Sequence, residues 1–417
     1  MYRLDPDTGK QKFFAKDGTK SVISAIISIL IGMFVGTLII IFVGLSRDNI
    51  STEGIVEGIK LVFFGIFSTG REAGELTFGF DQVNIGNMLF RATPLIMTGL
   101  SVAVAFKTGL FNIGAPGQYL MGTTASLYIA LTIPTDVMPA WLIWIIAFLL
   151  GMLAGALWGA IPGILNAYLN INVVITCIMT NWIAANLVTW FFDSMEYLKN
   201  SEEGGKVGYI KPTAANGVET ADFGLDKLFA GSQVNGGILI AVLMAVIVYI
   251  IMSKTTLGYQ LKACGSNRHA ARYAGINDKM SIISSMAIAG ALAAAGGSLY
   301  YLSGNTEFFW STYQSLPDEG FNGIPVALLA SNNPVGVIFT GIFMSMLNVA
   351  GTELRTLTAY NEYITDIIIA SIVYLSAFAM IIKMFIDNRG KKKKEKEKAA
   401  EEAGAQAARE VQEGGND

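Results

Sequence analysis

Nine stretches of this chain, near 21–45, 85–106, 110–133, 139–165, 173–193, 235–252, 281–303, 334–352 and 363–386, are almost unbroken apolar runs. Each is close to the ~20 residues that an α-helix rising 1.5 Å per residue needs to cross a ~30 Å hydrocarbon core. In lipid every backbone N–H and C=O must find a partner inside the protein, so runs of this length and polarity fold as transmembrane helices. Composition agrees: of 417 residues 53% are hydrophobic and 15% charged, against about 25% charged in an average soluble domain. The expected fold is therefore an all-α polytopic membrane protein. A tenth apolar stretch, 321–332, is too short to cross straight through. Residues 55–69 carry Glu57 and Lys60 and are read as an interfacial helix.

Basic residues set the expected orientation, because Lys and Arg near span ends stay on the cytoplasmic side. Lys10, Lys12, Lys16 and Lys20 precede the first span; Lys254, Lys262, Arg268, Arg272 and Lys279 fill one connection; Lys391–Lys394 follow the last span. The connection at 304–320 has no basic residue, and 46–84 and 194–234 carry an acidic excess. Both termini are thus placed in the cytoplasm and the acidic loops outside. That parity needs an even number of crossings. About ten segments satisfy it if 321–332 enters from outside and hands over to the next span at "SNNP", with one or two discontinuous or re-entrant helices among them.

The spans say what kind of path they can build. Few charges lie between their ends: Arg91, Lys107 and Asp366 stand at or near the margins. Ion-coupled carriers use intramembrane carboxylates and histidines, and the single histidine, His269, lies in a loop. One histidine also excludes a Ser-His-Asp triad or a multi-histidine metal site. Cys177 and Cys264 fall in a span and a loop and are not expected to pair. Helix-breaking residues collect at "GLFNIGAPGQ" (109–118) and "GFNGIPVALLASNNP" (320–334), each following Phe-Asn with glycine. Two interrupted helices in corresponding halves point to a substrate site at the midplane, although turns between spans would read the same. Amides donate and accept, which suits an uncharged, hydrogen-bonding solute. Asn112, Gln118, Asn181, Asn322 and Asn348 are the candidate pathway amides, with Trp182 as a surface for a flat ring; for each, bonding between helices is an equal alternative. Gly151, Gly155, Gly159 and Gly163 recur every four residues and form a bare face for close helix packing.

The segment "GSNRHAARYAGIN" (265–277) is a polar, basic interruption between two spans. Ser266 or Asn267 can cap a helix start and Gly275 can end one, which predicts a two-turn helix over 267–274. It has no G-x-x-x-x-G-K-[ST] nucleotide loop, nor does the rest of the chain. Gly265, Asn267, Arg268, Ala270, Ala271, Arg272, Gly275 and Ile276 are read as a docking element for another protein on the cytoplasmic face.

Here the sequence is recognisable. "HAARYAG" (269–275) resembles the E-A-A-x-x-x-G coupling motif of ABC importer permeases, with His269 where many have Glu. "TTLGYQLKACGSNRHAARYAGIN" (255–277) is closer to the version in the ribose and branched-chain amino-acid permease superfamily. "LFRATPLIMTGLSVAVAFKTGLFNIGAPGQYLMG" (89–122) and "VVITCIMTNWIAANLV" (173–188) are similar to its nucleoside-uptake branch. That branch reads R-A-T-P-L followed by G-L-F-N-I-G-x-x-G-Q; Val173-Val174 departs from it where an acidic residue is expected. The resemblance covers about 85–386. It implies a permease subunit in the bacterial cell membrane that pairs with a second, related permease. A cytosolic ABC ATPase would dock at the coupling segment, and an extracellular substrate-binding lipoprotein would deliver a nucleoside. The chain itself is then not an enzyme and binds no cofactor; ATP and Mg belong to the ATPase. Alternatives are a sugar or branched-chain amino-acid permease and an ion-coupled secondary carrier.

The expected organisation is a cytoplasmic N-terminus (1–20), a first span with an external segment (21–84) and a permease core (85–386) holding the coupling loop 253–280. A charged cytoplasmic tail (387–417) follows, whose lysines could touch lipid. Net charge is −3, and no nucleic-acid partner is expected.

Overall fold

The computed structural model describes residues 17–195, 208–311, 314–361 and 363–376. The N-terminal lysines before 17, the tail at 387–417 and the second half of the last expected span lie outside the described residues. Helices α1 (Asp17–Leu45), α2 (Thr52–Phe64), α3 (Gln82–Lys107), α4 (Ala115–Thr132), α5 (Ala140–Leu169) and α6 (Val173–Asp193) make up the first half. A one-turn helix, α7 (Leu225–Leu228), precedes α8 (Gly237–Lys254), α9 (Thr256–Ser266), α10 (Arg268–Tyr273), α11 (Asp278–Tyr301), α12 (Asp318–Leu329), α13 (Pro334–Leu357) and α14 (Tyr363–Ser376). Among the described residues, six helices are long and apolar enough to cross a membrane: α3, α5, α6, α8, α11 and α13.

Burial sorts these helices into centre and rim. The most apolar window of α3 is 83% buried and that of α11 72%, against 28% for α5 and 33% for α8. A helix apolar on all sides belongs in the middle or against lipid. α3 takes the middle, packed by α8, α11, α12 and α13, while α5 shows Leu149, Leu153 and Leu157 outward. The inner face of α5 is its glycine stripe. A Cβ on Gly155 would meet the Gly290 carbonyl of α11 at 2.5 Å, and one on Gly159 would meet Gly290 Cα at 3.0 Å. The stripe thus lets α5 and α11 touch backbone to backbone inside the bundle.

Two ends of the bundle are distinct. At the basic end, α3 finishes at Lys107 and α8 at Lys254; α9 packs on both, and α10 packs between α9 and the start of α11. The other end carries short strands. β1 (Ser68–Glu72) and β2 (Glu75–Phe78) form an antiparallel hairpin turned at Ala73 and Gly74, both at positive φ. Arg71 donates to Glu57 of α2 at 2.9 and 2.5 Å and to the Leu357 carbonyl of α13 at 2.8 Å, tying the three together. β3 (Tyr209–Ile210) pairs with β4 (Phe308–Phe309), which fixes the long connection after α6 against the one after α11. The stretch read as one interfacial helix over 55–69 is therefore α2, a 3-10 turn at Gly65–Phe67 and the start of β1. α2 buries only Ile55, Gly58, Leu61 and Val62, a single face.

Candidate functional site

The first expected interruption is real. α3 ends at Thr108, Gly109 turns at φ +71°, and α4 starts at Ala115 with Pro116 in its first turn. Between them the chain folds back into the bundle: Asn112, fully buried, donates to Ser101 Oγ at 3.1 Å. Ser101 lies six residues before the end of α3, about 9 Å along its axis at 1.5 Å per residue. Helix α4 therefore begins inside the bundle.

Amides hold this fold-back. Asn112 also donates to Gln118 Oε1 at 2.8 Å, and its Oδ1 accepts from Gln118 Nε2 and from the Gly114 amide, each at 3.1 Å. Asn181 on α6 accepts from the Gly117 N–H at 2.9 Å and donates to the Ile113 carbonyl at 2.9 Å. These three side chains supply partners that the broken helix has lost, which the low-dielectric interior requires. The sequence left substrate contact and bonding between helices as equal alternatives for them; here their polar atoms bond one another and the backbone. Trp182, next to Asn181, is 55% exposed on the outer face of α6 beside Met179 and Ile183.

The second interruption falls at the expected "SNNP" handover and not at the glycines before it. Gly320, Gly323 and Pro325 are inside α12, not in a break. Their small or fixed shapes serve close packing: a Cβ on Gly320 would meet Pro116 Cα at 2.5 Å, and one on Gly323 would meet Thr98 at 2.6 Å. The start of α12 thus sits on the start of α4, while the break itself lies at the other end of α12. The actual break is at Ser331 and Asn332, with φ +50° and +58°. There Asn333 caps α13 by accepting from the Val335 and Gly336 amides. At 12 residues α12 spans about 18 Å, half a crossing.

Beside this half-helix is a cavity of about 630 Å³ bounded by α3, α12, α13 and α14, within the ~300–1,000 Å³ typical of small-molecule sites. Asn322 and Asn348, two of the expected amides, line it. So do Asp318 and Asp366, which gives the cavity a charge the sequence reading had not assigned to the path. In the sequence Asp366 is one carboxylate near a span margin; only the tertiary fold puts it on the same cavity wall as Asp318.

At the basic end the coupling segment folds as α9, a bend at Asn267, and α10. Asn267 Oδ1 accepts from the Ala270 N–H at 3.0 Å, the expected cap, and Gly275 ends the helix at φ +81°. Ile276 closes it by donating to the Ala271 carbonyl at 3.0 Å. Arg268 and Arg272 grip Asp278 at the start of α11, each with a 2.7 Å bond. Their guanidinium groups brace α10 against the bundle. Ala271 is turned inward at 4% exposure, while His269, Ala270, Arg272, Tyr273 and Ala274 are exposed. Tyr273, absent from the docking residues expected from sequence, is 95% exposed. Gly265 lies against the first break: a Cβ there would meet the Lys107 carbonyl oxygen at 2.7 Å and Gly109 N at 2.8 Å.

An apolar multi-span bundle with a half-crossing helix beside a largely apolar cavity that carries a few polar side chains is the build of a membrane permease. The chain belongs to the family described as "Branched-chain amino acid transport system / permease component", whose pattern matches residues 84–377. It is 35% identical to the nucleoside ABC transporter permease protein NupB of Lactococcus lactis, over 88% of this chain and 94% of that one. It is 33% identical to the guanosine ABC transporter permease protein NupP of Bacillus subtilis, over 88% and 96%. The glucose ABC transporter permease protein TsgB13 of Haloferax volcanii matches at 30% over 74% and 81%. No solved structure matches the chain significantly.

Proposed function

We propose that this chain is the transmembrane permease subunit of an ATP-binding-cassette importer that carries nucleosides into the cytoplasm. The observation that carries this reading is the near full-length similarity to two permeases named for nucleoside and guanosine transport. The basic end faces the cytoplasm, where Lys and Arg are retained, and the hairpin end faces outward. The path then has ten segments: α1, α3, α4, α5, α6, α8, α11, the half-crossing α12, α13 and α14. A second, related permease completes the membrane unit, and an external lipoprotein presents the solute at the hairpin end.

The ATPase docks on the outward face of α10. Hydrolysis on that partner can move the permease only if it contacts its inward- and outward-open states differently. Gly265 supplies the mechanical link: it joins the docking loop backbone to backbone with Lys107–Gly109. The fold-back beyond them is pinned by Asn112, Gln118 and Asn181, so displacement of α9 is passed to the start of α4 and, through Pro116, to Gly320 of α12. Asn322 and Asn348 offer the solute hydrogen bonds along the cavity.

Deleting the gene should abolish uptake of labelled guanosine or uridine by whole cells and leave uptake of glucose and leucine unchanged. Loss of leucine or sugar uptake with normal nucleoside uptake would reassign the substrate.

A further inference from the structure

A carboxylate and a hydroxyl meet where α4 and α12 begin, and neither takes part in the amide-held fold-back. Gly320 lies against Pro116, which brings Glu319 beside Tyr119, one turn further along α4. Glu319 is half-buried. Its carboxylate accepts from its own backbone N–H, which leaves lone pairs for other donors. The charge of Glu319 acts on the Tyr119 hydroxyl, as do the hydroxyls of Tyr300 and Tyr301. Tyr119 is fully buried, yet its hydroxyl has no hydrogen-bond partner among the described residues. Burying an unpaired hydroxyl costs stability, and a phenylalanine would fill the same space without that cost. Aromatic surface borders the pair toward the outward mouth. Tyr301 stands edge-on to Tyr119 at 6.5 Å between ring centroids, and Phe308 of β4 stands edge-on to Tyr301 at 5.1 Å.

We infer that Tyr119 and Glu319 form the base-reading point of the path, selecting a purine that carries a ring N–H between a carbonyl oxygen and an amine, as guanine does. This rests on the nucleoside reading above. The point opens when Pro116 and Gly320 part, the movement that α4 passes to α12. Guanine then presents its ring N–H and its amine N–H side by side to the two oxygens of one carboxylate. Its carbonyl oxygen accepts from the Tyr119 O–H. Bidentate bonds to an ionised acceptor are the strong ones, and the neighbouring aromatic edges suit a flat ring. Adenine places an acceptor nitrogen where guanine has its ring N–H, so lone pairs would face lone pairs. A site built on buried hydrogen bonds rejects a ligand that leaves them unmade. Asp318, next in the chain, lines the cavity with Asn322, so a solute read here passes on to the cavity amides.

The test is uptake of labelled guanosine and adenosine by proteoliposomes holding this chain with the proposed second permease, ATPase and receptor. The receptor is the same throughout, so a change in the guanosine-to-adenosine ratio between variants belongs to this chain. The wild type should favour guanosine, with inosine, which lacks the amine, in between. Tyr119→Phe should unfold at the wild-type temperature or above, because the lost hydroxyl bonds nothing in the structure. It should nevertheless carry guanosine about tenfold more slowly, with adenosine uptake little changed. Glu319→Gln should narrow the ratio by about tenfold or more, since its amide keeps one acceptor oxygen and turns a donor toward the base. Wild-type ratios in both variants would overturn the inference and leave the nucleoside reading standing. So would a Tyr119→Phe protein that is less stable and slows every nucleoside alike, the result expected of a hydroxyl that only holds structural water. A wild type that carries another solute and no nucleoside would overturn both.

Discussion

Gly265→Ala is a small perturbation with a calculable consequence. Its Cβ would fall 2.7 Å from the Lys107 carbonyl oxygen, 2.7 Å from the Thr108 carbonyl carbon and 2.8 Å from Gly109 N. All three are backbone atoms and cannot swing aside as a side chain would. The docking loop must withdraw from the α3–α4 break by on the order of 0.5 Å, and overpacking of this kind costs roughly 1–3 kcal/mol. If Gly265 transmits the movement of the loop, that cost falls unequally on the inward- and outward-open states. A difference of about 1.4 kcal/mol is a tenfold change in their ratio. The expected result is a folded complex that retains its ATPase and hydrolyses ATP, with nucleoside moved per ATP reduced by about tenfold. The assay measures ATP hydrolysis and labelled-nucleoside uptake on the same reconstituted complex. Wild-type transport per ATP would refute the link between the loop and α4, whatever the variant does to stability.

Substitutions at three further positions separate holding from transporting and docking. Asn112→Ala removes four hydrogen bonds from a fully buried side chain. Each unsatisfied buried partner costs about 1–3 kcal/mol, so thermal stability should fall clearly; a stable variant that has lost only flux would return Asn112 to the path. At Gly275, where φ is +81° and nothing lies within 4 Å of an added Cβ, backbone conformation alone sets the cost. Asn should be tolerated better than Val, read as ATPase co-purification, because Asn enters the left-handed region more readily; equal loss with both would point to a steric role instead. Tyr273→Ala should weaken ATPase capture by tenfold or more, since exposed aromatics are frequent interface anchors, while folding of the permease should be unaffected. Unchanged capture would move the docking face elsewhere.

The membrane helices were legible because an apolar run of crossing length has few other ways to satisfy its backbone. The cap at Asn267 and the stop at Gly275 were legible for a similarly local reason, since both are set by one residue's side chain or φ. The hairpin at 68–78 was not, because STGRE and ELTF show little apolar alternation and its turn rests on Ala73 and Gly74 at positive φ. Gly320, Gly323 and Pro325 were taken for breakers. Glycine in a helix serves equally for close approach, and here Pro116 and Thr98 occupy the space a side chain would fill. The partners of Asn112 and the placing of Asp318 and Asp366 on one cavity wall depend on which helices become neighbours. A polar residue in an apolar run announces that it needs a partner, but not whether that partner is the backbone beside it or a solute.

The central claim is ATP-driven nucleoside import through this chain. Proteoliposomes containing it with the proposed ATPase and second permease, oriented with the hairpin end outward and supplied with the proposed receptor and internal ATP, measure that directly. Labelled guanosine should accumulate inside against its gradient, at a rate set by ATP and unaffected by sodium or proton ionophores. Accumulation that continues without ATP and collapses when the ion gradient is removed would contradict the account and make the protein an ion-coupled carrier.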